Sequence, residues 1–340
     1  MRRCIELARL GQGNVSPNPM VGCVIVRDNK IIGEGYHEFF GGPHAEVNAI
    51  RQVKDLELLK SCTLYVSLEP CAHHGKTPPC ADLIIHHQIP EVVVGSLDPF
   101  HLVAGKGIKK IQDSGAQVIS GVLKKECDEL NKRFFTFHKK QRPFVILKWA
   151  ESKDGFIDKL RSEDEKGINW ITGTHAKKLV HQWRSQEDAI LVGRKTVVND
   201  NPSLTVREVS GRNPTRIVLD SQCVLDLQYE VFNEDARTIV INAIKQTNQV
   251  GQPEYLLVVD LHKNLNELLH RLYQRNIQSV IIEGGAETLN AFIQENLWDE
   301  ARVFRGDVMF ERGVKAPILS IEPNHEEFIG ADRLRIYSNL

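Results

Sequence analysis

The chain has 340 residues, 41% of them hydrophobic, and a formal net charge of −1. That length fits two average domains, and the apolar share is enough for buried cores. The near-neutral balance offers no basic field for a long nucleic acid, and no apolar run approaches the roughly 20 residues of a membrane-spanning helix.

The opening segment Met1-Arg2-Arg3-Cys4-Ile5-Glu6-Leu7-Ala8 has two arginines but an early acid and no apolar signal core. It reads as an amphipathic helix over 2–10 rather than a targeting segment. Its abrupt, uncapped beginning fits a natural start a few residues upstream. Residues 21–26 predict a buried strand, and 31–37 pair back on it across a turn at 27–30. A helix over 44–53, a strand at 63–68 and a helix over 81–88, ended by Pro90, come next. A strand at 92–95, a helix at 105–114 and a strand at 116–120 complete the first half. Strands alternating with helices predict a mostly parallel sheet covered on both faces. The basic stretch His138-Lys139-Lys140-Gln141-Arg142-Pro143 reads as irregular, with a boundary near 141 and domains at 1–141 and 142–340. The alternation then restarts, with strands at 144–148, 189–193, 216–220, 237–241, 256–260 and 279–283. Helices are expected at 174–185, 264–275 and 286–295. The overall class is α/β.

Seven cysteines, an odd number in a long chain, argue against a disulfide framework and for a reducing cytoplasm. Two of them stand apart. Pro43-His44-Ala45-Glu46 is followed by Leu68-Glu69-Pro70-Cys71 and then by Cys80. One His and two Cys suit Zn²⁺, and three protein ligands leave a fourth position for water, the layout of a catalytic site. Glu46, two residues after His44 at a helix start, is placed to take the water's proton and hand it to a leaving amine without ligating the metal. His-x-Glu, then Pro-Cys and a second Cys, is the pattern of the zinc deaminases. The spacing departs from that pattern: eight residues separate Cys71 from Cys80 instead of two.

With the insert His73-His74-Gly75-Lys76-Thr77-Pro78-Pro79-Cys80, the chain resembles the bifunctional riboflavin-biosynthesis deaminase-reductases, the RibD family. Pro17-Asn18-Pro19-Met20-Val21-Gly22, Gly35-Tyr36-His37 and Val103-Ala104-Gly105-Lys106-Gly107 carry the likeness further, and it runs through both halves. The resemblance implies a cytidine-deaminase-like αβα sandwich followed by an α/β domain resembling dihydrofolate reductase. It implies that Asn18, His37, Lys76 and Asp98 bind the deaminase substrate, an amino-pyrimidine carrying a ribose phosphate. An Asn amide suits a ring's donor and acceptor edge, and a Lys suits phosphate. Asp98-Pro99-Phe100-His101 departs from the family's usual Asp-Pro-Asn-Pro.

In the second half there is no Gly-x-Gly-x-x-Gly fingerprint. Strand 279–283 runs through Gly284-Gly285 into a helix, which lets backbone and helix-start amides approach an anion. On its own that is common punctuation. The resemblance adds Trp170-Ile171-Thr172-Gly173, the stretch from Asp188 to Gly193 and the stretch from Asn199 to Arg207, which match the reductase half of the family. It implies NADPH as cofactor. Lys148, Ile168, Arg184, Leu204, Arg207 and Glu283 are then expected at the substrate, with Arg184 and Arg207 gripping its phosphate. Glu151, Trp170, Thr196, Asp200, Ser221, Gly285, Ala286, Glu287 and Thr288 are expected at the cofactor. Glu151, Lys153 and Ile168 depart from the family's usual residues.

The reading is zinc-hydroxide deamination of 2,5-diamino-6-ribosylamino-4(3H)-pyrimidinone 5′-phosphate, then NADPH reduction of the ribosyl to the ribityl side chain. No strong general acid stands out in the second half. The expected partner is a small phosphorylated pyrimidine, without nucleic acid or membrane, in a cytoplasmic homo-oligomer, dimer or tetramer. Three alternatives stand beside it: a deaminase of other bases or nucleotides, a binding protein on a degenerate scaffold, and an active deaminase joined to an impaired reductase.

Overall fold

The computed structural model describes residues 1–72, 78–99, 105–162, 165–247, 253–261 and 264–339. Its contacts divide the chain into two units, Met1–Gln141 and Arg142–Leu340.

The first unit runs α1 (Arg2–Arg9), β1 (Gly22–Arg27), β2 (Lys30–Tyr36), α2 (Ala45–Arg51), β3 (Thr63–Leu68), α3 (Cys80–His86), β4 (Glu91–Ser96), α4 (Lys106–Asp113), β5 (Gln117–Ser120), α5 (Lys124–Leu130) and α6 (Lys132–Lys140). The sheet order is β2-β1-β3-β4-β5. β3, β4 and β5 are parallel, while β1 is antiparallel to both β2 and β3. Four of the five strands therefore run the same way, and β1 alone is reversed. Asp28 and Asn29 both adopt positive φ, 49° and 59°. A two-residue turn of that kind matches the strand twist and closes an antiparallel hairpin. Alternation along the strands sorts the apolar side chains to two faces. Cys23, Ile25, Leu64, Val66, Val92 and Val94 pack under α2, α3 and α4, and Val24 meets Cys4 and Leu7 of α1 on the other face.

One expectation changes here. His138, Lys139 and Lys140 form the last turn of α6 and not an irregular boundary. Phe134 and Phe137, three apart, share the buried face of that helix. Basic side chains suit a helix C-terminus.

The second unit runs β6 (Phe144–Glu151), β7 (Phe156–Lys159), α7 (Thr174–Gln186), β8 (Ala189–Gly193), α8 (Arg194–Asp200), β9 (Thr215–Leu219), β10 (Thr238–Asn242), β11 (Glu254–Leu257), α9 (Leu265–Tyr273), β12 (Ser279–Ile282), α10 (Ala286–Gln294), β13 (Glu300–Arg305), β14 (Gly313–Lys315), β15 (His325–Ile329) and β16 (Asp332–Ser338). Its large sheet has the order β11-β10-β9-β8-β12-β6-β13-β16-β15, parallel from β11 to β13 and antiparallel at β16 and β15. Both faces of the parallel part are buried. Val145, Leu147, Ala189, Leu191, Val280 and Ile282 enter one core, and Phe144, Ile146, Ile190, Val192 and Ile281 enter the other. That is why these strands read as continuous apolar runs. The carboxyl end of β8 runs straight into α8, and that of β12 leads through Glu283, Gly284 and Gly285 into α10, which sets up a crevice for ligands.

Candidate active sites

In the first unit, His44 is the N-cap of α2, Cys80 is the first residue of α3, and Cys71 lies just past the end of β3. Three separate elements thus bring the ligands together. Cys71 Sγ is 3.6 Å and Cys80 Sγ 3.3 Å from His44 Nδ1. The ligand atoms all fall within 4.8 Å of one another, and no other such group of His, Cys, Asp or Glu occurs among the described residues. One imidazole and two sulfurs at that spacing, with no fourth protein ligand among the described residues, fit a catalytic zinc ion. The two thiols share their protons unequally. Hydrogen bonding from Cys80 and His44 brings Cys71 down to about 4, whereas Cys80, beside Cys71 and buried, is pushed up.

Glu46 lies in the first turn of α2 and is only 3% exposed. Its carboxylate reaches the Cys80 sulfur, and burial raises its pKa. A carboxylate so placed gains and loses a proton more easily near neutrality than a solvated one does.

Asn18 and His37 stand beside this cluster as a hydrogen-bonded pair. The His37 Nδ1 is 2.9 Å from the Pro43 carbonyl, and Nε2 is 3.0 Å from Asn18 Nδ2. A carbonyl only accepts, so Nδ1 carries the proton and Nε2 accepts from the Asn amide. Burial, and then His44 nearby, lowers the His37 pKa and keeps that neutral form. The His37 and His44 rings meet edge to face at 5.6 Å. Asp98 is buried two residues past the end of β4. Lys76, His73, His74, Phe100 and His101 lie outside the described residues.

In the second unit a cavity of about 680 Å³ opens at the carboxyl ends of β6, β8, β9 and β12. Of the expected residues, Lys148, Ile168, Trp170, Thr196, Asp200, Ser221, Glu283, Gly285, Ala286, Glu287 and Thr288 line it. Glu151, Arg184, Leu204 and Arg207 are not among its lining residues. The starts of α8 and α10 both face it, with N-caps Gly193 and Gly285 and no side-chain cap on either. Two helix starts in one crevice suit the phosphates of a dinucleotide such as NADPH. Gly284 brings the two strand ends together: a Cβ there would lie 2.6 Å from the Gly193 nitrogen.

The cavity floor is charged. Glu283 accepts from Arg184 at 2.8 and 3.4 Å and lies 4.0 Å from Lys148 Nζ. Burial opposes ionisation of Glu283, but Arg184 and Lys148 override it and bring the carboxyl down to about 2. Burial lowers the pKa of Lys148, partly offset by Glu283. Asp200 is tied to the loop before Trp170 through Arg161, at 3.0 Å, and Arg161 also holds Asp158. Lys153, one of the departures from the family pattern, pairs with Asp307 at the surface. Arg207 is anchored by its own backbone: its N–H donates to His181 Nδ1 at 3.0 Å.

Two residues that hold expected site segments in place were not legible, His181 behind Arg207 and Asn131 behind Met20. The Asn131 amide both accepts from Met20 N–H and donates to Met20 O, each at 2.8 Å, which pins the loop that carries Asn18. The partners are backbone groups 111 positions away, so no sequence spacing marks them.

Comparison with known proteins bears on both units. A family model for the cytidine and deoxycytidylate deaminase zinc-binding region matches residues 1–96, and one for the RibD C-terminal domain matches residues 143–310. The riboflavin biosynthesis protein RibD of Aquifex aeolicus is 40% identical over 330 residues, 96% of this chain and 91% of its own length. The chain belongs to the RibD family. The RibD protein of Escherichia coli K12 is 36% identical over 320 residues, covering 89% of this chain and 86% of its own. A solved Thermotoga maritima structure, described as a diaminohydroxyphosphoribosylaminopyrimidine deaminase/5-amino-6-(5-phosphoribosylamino)uracil reductase, has a TM-score of 0.88 at 40% identity. It covers 99% of this chain and 96% of its own. As a RibD enzyme of riboflavin biosynthesis, the chain joins a zinc-dependent, cytidine-deaminase-like unit to an NADPH-dependent reductase unit with a fold like dihydrofolate reductase.

Proposed function

We propose that this chain deaminates 2,5-diamino-6-ribosylamino-4(3H)-pyrimidinone 5′-phosphate and then reduces its ribosyl group to the ribityl side chain. The carrying observation is the three-ligand cluster of His44, Cys71 and Cys80 with buried Glu46 against it. When bound there, zinc supplies a Lewis acid that makes water a nucleophile at neutral pH. Glu46 takes the water's proton and returns it to the departing amine. Asn18, with its Nδ2 committed to neutral His37, offers its amide oxygen as an acceptor for the ring's N–H edge. Lys76 and Asp98 are assigned to the ribose phosphate.

In the second unit NADPH supplies the hydride when bound, and its site is assigned to Trp170, Thr196, Asp200, Ser221 and Gly285 to Thr288. Lys148 holds a proton at Nζ inside the cavity and is assigned as the donor to the opening sugar, with Glu283 keeping it charged. Arg184 is committed to Glu283. Its role is therefore to orient that carboxylate, and the phosphate grip passes mainly to Arg207, with Leu204 beside it.

We take the protein to work in the cytoplasm as a homo-oligomer, dimer or tetramer, on small phosphorylated ligands, without nucleic acid or membrane. Among the described residues, no helix is long and apolar enough to cross a membrane.

The test supplies the diamino-pyrimidine ribosyl phosphate to zinc-loaded protein and follows ammonia and NADPH together. One ammonia released and one NADPH oxidised per substrate is the expected result. Ammonia alone would leave the reductase half of the proposal refuted, and neither signal would refute both halves.

A further inference from the structure

Glu69 is buried, 4% exposed, at the point where β3 gives way to the Cys71 loop. Among the described residues its side chain accepts from backbone N–H groups. Oε2 accepts from Asp98 at 3.3 Å and Gly105 at 2.9 Å, and Oε1 accepts from Gly107 at 3.0 Å and Ile108 at 3.4 Å. Two of these donors, Gly107 and Ile108, belong to the first turn of α4, and Gly105 is its N-cap. A carboxylate at a helix start satisfies amides that have no partner within the helix. The approach is close. A Cβ on Gly107 would sit 1.9 Å from the Pro70 carbonyl oxygen. The segment from Glu69 to Cys71 is thus fastened on one side to a metal ligand and on the other to Asp98 and α4.

We propose that Glu69 is a positioning residue of the deaminase: through these four amides it sets the distance between the Cys71 loop and the Asp98 end of the substrate pocket. The proposal rests on the reading that Asp98 binds the deaminase substrate. Glu69 touches no reacting atom in this scheme, and its effect falls on substrate binding more than on the chemical step.

Glu69→Gln separates this from a role in bulk stability. An amide keeps the shape but turns an NH₂ towards two of the four donors, so about two bonds are lost and the loop is released. In zinc-loaded, full-length protein, amide exchange at Asp98, Gly105, Gly107 and Ile108 should accelerate. The deaminase KM should rise roughly tenfold with kcat little changed, the signature of lost uniform binding. Glu69→Asp, still a full acceptor, should recover part of the KM. Zinc should stay at one per chain, which reports that the first unit is folded. NADPH oxidation with the deaminated substrate should not change. Unaltered exchange at those four amides, or faster exchange with an unchanged KM, overturns the proposal. Asp98→Asn tests the underlying reading separately: an unchanged KM in that variant, with normal exchange, removes Asp98 from the substrate site whatever Glu69 does.

Discussion

Replacing Glu283 by Gln should move the pH dependence of the reductase step more than it harms the fold. Lys148 is half-buried beside Arg184, and both conditions disfavour its charge; Glu283 is the group that opposes them. The Lys148 Nζ lies 4.0 Å from Glu283 Oε2. At an effective dielectric constant of about 20, two unit charges at that separation interact by about 4 kcal/mol, on the order of three pH units. Relaxation and water entry reduce this, so a fall of about one to three units in the Lys148 pKa is expected. A lysine donates only while it carries its proton, below its pKa. The basic limb of the kcat profile, where activity is lost as pH rises, should therefore shift to lower pH by that amount. The assay is NADPH oxidation by full-length protein with the deaminated substrate across the pH range, with ammonia release followed in parallel. Ammonia release should keep the wild-type profile. A Glu283→Gln enzyme whose basic limb stays in place would refute both the pairing argument and the assignment of Lys148 as donor.

Glu46→Gln should keep one zinc per chain and lose about a hundredfold or more in ammonia release, the usual scale for a general acid–base group; an active, zinc-loaded variant would remove Glu46 from proton transfer. Chelating the metal should abolish ammonia release and leave NADPH oxidation with the deaminated substrate intact, because the described ligand cluster lies wholly within the first unit; equal loss of both activities would contradict that separation. His181 gives a stability test. Burial lowers its pKa from the ordinary 6.5 to about 4. The unfolded chain thus binds a proton between those values that the folded chain does not, and stability must fall as pH drops from about 6.5 to 4, by up to about 3 kcal/mol. All four tryptophans, Trp149, Trp170, Trp183 and Trp298, lie in the second unit, so their fluorescence during urea unfolding reads that unit. His181→Gln should flatten this acid loss, and an unchanged slope would show that other groups cause it.

Legibility in the sequence followed the chemistry of the partners. Strands β3, β4, β6, β8 and β12 stood out because they are largely buried and their runs are apolar, whereas β13, parallel to β6, was missed because Glu300, Arg302 and Arg305 interrupt its run. The strand pair β15 and β16 did not stand out either. Four of the five residues of β15 are exposed, and β16 carries Arg333 and Arg335, which pair with Glu326 at the surface. The edge strand β15 has no apolar alternation to read, and the short Arg333-Leu334-Arg335-Ile336 alternation of β16 has no apolar partner strand beside it in the sequence. Helix α8 was missed for another reason. It starts at once after β8, with Gly193 as its N-cap, and buries only Val197, so neither a turn nor an amphipathic stripe announces it.

Three glutamates, Glu46 and Glu69 buried and Glu283 half-buried, show where sequence reading of a site stops. Each must be relieved of the cost of burying a carboxylate, and each is relieved differently. Glu46 has its pKa raised by burial, which favours its protonated form, and it is the residue proposed to carry the proton. Glu283 is held ionised by Arg184 and Lys148. Glu46 could be picked out by its motif beside His44, and Glu283 was expected through the family resemblance. Glu69 is bound by backbone amides of Asp98, Gly105, Gly107 and Ile108. Every residue except proline has such an amide, so nothing in the sequence distinguishes the four that matter. Gly107 comes nearest to a signal, since only a residue without Cβ fits against the Pro70 carbonyl. Even that glycine does not say which carboxylate lies behind it. The Glu-Pro-Cys run is read most easily through its cysteine, yet its first residue is the one that connects the metal loop to the rest of the pocket.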